Sequence, residues 1–144
     1  MLLAEALIEK EYIEESIDGV NEYIYNLLET DKAKPQREII EKKIKELNNL
    51  YREYQRFDIS IGQSESRAMI KINDTELSLR DCRIMEDAMY EKLSDFEDIL
   101  KNSQNNGMGD ILCDAIVDAV GEIRLDIKTI DTKIQSALWN TEVN

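Results

Sequence analysis

Apolar residues in the first thirty positions recur at alternating steps of three and four. Ala6, Ile13, Ile17, Val20, Ile24 and Leu27 form this series, and Lys10 interrupts it. Such a period places one greasy stripe along a helix and turns it towards a partner helix. The spacing predicts a first helix over about 2–30. Three further segments carry the same signature. Ile40, Ile44, Leu47, Tyr51, Tyr54 and Ile61 mark a second helix over about 35–61, broken at Asp58. Leu79, Cys82, Met89, Leu93, Phe96 and Leu100 mark a third over about 75–101, with Glu86 as the lapse. Ile116, Val120, Ile123, Ile127, Ile130, Ile134 and Ala137 give the most regular stripe, a fourth helix over about 111–138.

The breaks between these stripes differ in kind. Thr30–Pro35 reads as a short connection, with Pro35 suited to the first turn of the next helix. Residues 60–75 lose the helical period. Gly62, two serines and the alternation from Ala68 to Ile72 suggest an irregular stretch or a short β-ribbon. Asn73 or Asp74 is a candidate N-cap for the third helix, and Asn73 has capping-box spacing to Glu76. Residues 102–110 are Gly/Asn-rich and read as a mobile loop, with Asp110 expected to cap the fourth helix.

Four stripes of similar length with short connections describe an all-α chain, one domain over 1–144. The fold expected is an antiparallel four-helix bundle or a pair of long helical hairpins with coiled-coil packing. Hairpin geometry sets residue 2 level with about 64, and residue 139 level with about 73. The N-terminal turn, the irregular stretch and Trp139 would then share one end. Glu5, Arg67, Arg80, Asp131 and Trp139 are the candidate interaction residues there, with Arg80 and Asp131 expected as an inter-helical ion pair. Cys82 and Cys113 fall about 24 Å apart along the axis at helical rise, far beyond the roughly 7 Å a disulfide allows.

Composition narrows the function. The formal charge is −13, from 18 Lys+Arg against 31 Asp+Glu. A field of that sign repels phosphate backbones and anionic lipid, so neither nucleic acid nor membrane is an expected partner. Histidine is absent, which removes imidazole acid–base chemistry, Ser-His and Cys-His nucleophiles and most transition-metal sites. The apolar runs are too short to span a bilayer, the first residues reach Glu5 without a basic leader, and two cysteines make no disulfide framework. The cytoplasm is the expected compartment.

The first and last segments resemble a known family. Leu3-Ala4-Glu5-Ala6-Leu7-Ile8-Glu9, together with the run from Asp131 through Trp139 to Glu142, is similar to small bacterial helical proteins labelled septicolysin-like. Leu50–Phe57, Asp74–Leu77 and Arg80-Asp81 agree more loosely. Around Asn102–Asp110 the chain departs, a Gly/Asn loop replacing the family's more basic and aromatic connection. The resemblance implies a helical, coiled-coil fold and offers no catalytic residues. Its label suggests a cytolysin, which the acidic surface and the lack of an apolar span oppose.

Three functional classes follow. A non-enzymatic interaction or scaffolding protein that self-associates, as a dimer or higher oligomer, fits the long seams best; its protein partner is not legible. The alternative is a Mg²⁺-dependent all-helical nucleotide pyrophosphohydrolase built on carboxylates one turn apart. Glu11 with Glu14, Glu15 with Asp18, and Asp95 with Asp98 have that spacing. A chain so rich in acids holds many such pairs by chance, and those on the first helix flank Ile13 and Ile17 instead of replacing core positions. A cytolysin-like toxin is the third. No catalytic residue, metal ligand or cofactor is assigned.

Overall fold

The computed structural model describes residues 1–29, 36–105, 107 and 109–143. The fold is all-α: four helices and one small antiparallel β-hairpin. The helices are α1 (Leu3–Leu28), α2 (Arg37–Arg67), α3 (Leu79–Asn105) and α4 (Asp110–Leu138), and the strands are β1 (Met69–Ile72) and β2 (Thr75–Ser78). The sequence reading takes 1–144 as one domain. The structure divides into two compact units, the first Met1–Ser64 with Thr141–Asn144, the second Glu65–Asn140.

In the first unit, α1 and α2 form the expected antiparallel pair. Lys10 Nζ lies 2.6 Å from Asp58 Oδ1, and Lys43 Nζ stands 5.0 Å from the centre of the Tyr23 ring. Both contacts fall within about two residues of the register expected from the short connection. That connection, Thr30–Pro35, lies outside the described residues. The terminal segments also pair here. Leu3 N–H donates to the Thr141 carbonyl at 2.8 Å, and Val143 N–H to the Met1 carbonyl at 2.9 Å. The stripe of α1 (Ile13, Ile17, Val20) is buried, as are Leu3, Ala4 and Ala6.

The rest of the chain corrects several expectations. α2 does not stop at residue 61 but continues to Arg67, because Ile61 and Ser64, three residues apart, are both buried on its inner face. The Ser64 hydroxyl bonds back to the Ser60 carbonyl at 2.9 Å and so satisfies itself within the helix. Residues 69–78 then form a tight hairpin whose register pairs Met69 with Ser78 and Ile72 with Thr75. Asn73 and Asp74 are its two turn residues, not N-caps, with φ of 48° and 65°. Two successive left-handed residues are what a two-residue hairpin needs to match strand twist, and Asn and Asp tolerate that conformation best after glycine. The third helix therefore begins at Leu79 instead of about residue 75. Ser78 caps it, its hydroxyl accepting from the Asp81 N–H at 3.1 Å.

The expected loop at 102–110 is mostly helix. α3 runs through Asn105; Gly107 takes φ 66°, and Asn106 and Met108 lie outside the described residues. Gly109 occupies the N-cap of α4, and the backbone of Asp110 is already helical, so Asp110 is not the cap. Buried Val120, Ile123, Ile127, Ile130, Ile134 and Leu138 line one side of α4, and fully buried Leu79 and Cys82 belong to α3. Extending α3 moves the turning point of the hairpin, which shifts the α3–α4 register: Arg124 Nη2 meets Glu97 Oε1 at 2.7 Å.

Candidate interaction site

The register shift decides the fate of the expected ion pair. Asp131, half-buried on α4, meets Glu86 of α3 and not Arg80. Arg80 is exposed in the first turn of α3 and makes no ion pair among the described residues. Arg67 is exposed at the last position of α2. Trp139 follows α4 as its C-cap residue, with its backbone N–H on the Gln135 carbonyl and its side chain 52% exposed. Glu5 belongs to the first unit, where its carboxylate accepts the Leu2 N–H at 2.8 Å and closes the first turn of α1. Within the second unit, Asp131 is drawn to Glu86 while Arg67, Arg80 and Trp139 present exposed side chains.

Lapses in the apolar stripes turn out to be the polar contacts between helices. Lys10 interrupts the α1 stripe and Asp58 the α2 stripe, and the two form the short ion pair of the first unit. The Asp58 carboxylate beside Lys10 raises the pKa of the ammonium against the opposing effect of burial, with Tyr54 adding to the rise. Glu86, the lapse in α3, faces Asp131. Burial pushes the Glu86 carboxyl up, and Asp131 and Asp87 push it further, while Arg83 pulls it down. Glu86 Oε2 is buried without a hydrogen-bonding partner, the mark of a carboxyl that favours its protonated form. Arg83 itself is turned to Glu65, its Nε 2.9 Å from Glu65 Oε1 in an ion pair off the hydrogen-bonding line.

Among the described residues, no group of three or more His, Cys, Asp or Glu side chains could hold a metal ion. A cleft of about 220 Å³ lined by Met1, Arg56, Phe57, Ser60 and Val143 has Arg56 as its one charged side chain. A groove of about 290 Å³ beside β1 contains Lys133, whose ammonium is committed to the Lys71 carbonyl at 2.6 Å. Both cysteines are thiols. Cys82 is fully buried, and burial, helped by Asp81 and opposed by Lys133, raises its pKa. It is thus an inert core thiol. A thiol reagent applied to the native protein should label half-buried Cys113 and leave Cys82 unmodified until the chain unfolds.

What the structure does offer is uncovered apolar surface on α2. Only Ile61 and Ser64 of that helix are buried. Ile40, Leu47, Leu50, Tyr54 and Phe57 are half-covered, and Ile44 and Tyr51 remain 46% and 44% exposed. The stripe itself is visible in the sequence. That its middle is left open is not, because the same spacing serves a buried seam and a docking face alike.

No protein-family model matches the sequence, and no curated protein matches it. Among solved structures, the fold is similar to that of a functionally unknown conserved protein from Corynebacterium diphtheriae. The TM-score is 0.84 at 18% identity, over 100% of this chain and 99% of that one. At this identity the likeness shows the fold, which is thus shared along the whole of both chains, and carries no activity across.

Proposed function

We propose that this chain is a non-enzymatic helical interaction protein that works as a self-associated scaffold. The observation that carries the reading is the apolar surface left open on the first helix pair: Ile44 and Tyr51 on α2 and Tyr12 on α1 are all exposed. Exposed apolar side chains grouped along one helix mark a surface that a partner covers. Among the described residues no cluster of three or more metal-ligating side chains supports the Mg²⁺-dependent hydrolase, and no described helix is long and apolar enough to cross a membrane.

Two thiols without a disulfide fit a reducing compartment, and a cytoplasmic location is part of this reading. So is kinship with the septicolysin-like proteins, whose terminal motifs adjoin the paired segments 1–3 and 141–143. Sedimentation equilibrium tests the core of the proposal. A mass that grows with concentration towards twice the chain mass or more is expected. A monomer mass at every concentration would remove it.

A further inference from the structure

The open strip of α2 has a charge pattern that fits one occupant in particular, a second copy of itself. Arg37, Ile44, Asn48, Tyr51, Gln55 and Asp58 follow one another at steps of seven, four, three, four and three, which keeps them on one line along the helix. All six are exposed. The line is about 31 Å long at helical rise. Its middle is uncharged, one end is positive and the other negative.

We infer that α2 is a dimerisation helix, packing antiparallel through this strip against the same strip of a second copy. This rests on the self-association proposed above and names its surface. An antiparallel two-fold centred between Leu47 and Asn48 sets Ile44 against Tyr51 of the partner subunit, and Tyr51 against the partner's Ile44. It also sets Arg37 opposite the partner's Asp58, and does so twice. A parallel pairing would instead stack Arg37 on Arg37 and Asp58 on Asp58. The strip is therefore self-complementary in one orientation only, as an isologous interface requires.

Overall charge points to the same helix. Two chains of −13 repel one another, so association is favoured where the local field is weakest. Residues 1–29 carry eight acidic side chains and one basic, whereas residues 37–58 carry five acidic and six basic. Arg37 is also cheap to re-pair, since it is held only by exposed Glu41 of its own helix, at 3.0 Å. Asp58, 55% exposed, keeps Lys10 on Oδ1 and is shared with the partner's Arg37, not released to it.

The test is sedimentation equilibrium on the full chain carrying Ile44→Glu with Tyr51→Glu. The dimer dissociation constant should rise about 100-fold or more, the scale expected for two central apolar residues. Helicity by circular dichroism should be unchanged. Tyr12→Glu, on the exposed side of α1, should leave the constant within about threefold. Should the double variant unfold, mixing Ile44→Cys chains with Tyr51→Cys chains answers the same question, because a mixed disulfide should form across the interface under mild oxidation. A wild-type chain that stays monomeric overturns both this inference and the self-association reading. A wild-type dimer that survives the double substitution, or that gives no 44–51 cross-link, overturns the α2 placement alone.

Discussion

Each unit holds one antiparallel helix pair with one polar intrusion into its apolar seam, and the two intrusions have opposite character. In the first unit Lys10 meets Asp58, unlike charges 2.6 Å apart. In the second Glu86 meets Asp131, two carboxyls, and one oxygen of the half-buried Glu86 is buried without a partner. Unlike charges hold a register because misalignment strands a charge. Glu86 beside Asp131 holds its proton more firmly than a free glutamate does, so the second contact weakens as pH rises through the raised Glu86 value.

Removing a partner should separate them most clearly. Asp58→Ala leaves Lys10, 21% exposed, without its anion beside the Tyr54 ring, at a cost of about 2 kcal/mol read from thermal or denaturant unfolding. The sign with pH follows from the raised pKa of Lys10. Its contribution is complete at neutral pH and below, and is lost as pH climbs through the raised value, so the gap between wild type and Asp58→Ala should close on the alkaline side. A gap that persists unchanged in strong alkali would mean that packing, not charge, makes the contact.

Glu86→Gln tests the other contact, with the reverse sign. Glutamine keeps a donor towards Asp131 and removes one negative charge, so the variant should be more stable at neutral pH by about 1 kcal/mol. The folded state holds the Glu86 proton to higher pH than the unfolded chain does. Wild-type stability therefore falls as pH rises from the ordinary glutamate range through the raised value. The advantage of the variant should shrink to nothing in mild acid. An equal advantage at all pH values would remove the raised Glu86 pKa from the account.

These two contacts also show how far the sequence could be read. Lys10, Asp58 and Glu86 stand out in it as violations of an otherwise regular step, but periodicity does not say that violations on neighbouring helices find each other. That depends on register. The α1–α2 register followed from a short connection and held within about two residues. The α3–α4 register slipped because α3 continues to Asn105, through a Ser-Gln-Asn run whose composition favours a loop; the Ser103 hydroxyl bonds back to the Ile99 carbonyl at 2.8 Å and is buried there. Hence Asp131 reached Glu86 and not Arg80. The hairpin at 69–78 was half legible, its alternation clear but Asn73-Asp74 equally good as cap or turn until the strands paired.

The smallest effect provides the control for the whole comparison. Gly19 in α1 and Gly121 in α4 are both exposed in mid-helix, each beside a buried valine, Val20 and Val120. A Cβ added at either would meet nothing within 4 Å. Alanine at each site lowers the entropy of the unfolded chain and gains helix propensity, with no native contact to lose. Gly19→Ala and Gly121→Ala should therefore each stabilise by roughly 0.5–1 kcal/mol, and by the same amount within error. Equality would show that the backbones of the two helix pairs respond alike, so that the opposite pH signs of Asp58→Ala and Glu86→Gln arise from the seam contacts alone. If Gly19→Ala gained nothing while Gly121→Ala gained in full, the surface of α1 at residue 19 would be needed close against another chain. The dimer face would then have to be sought on α1 in place of α2.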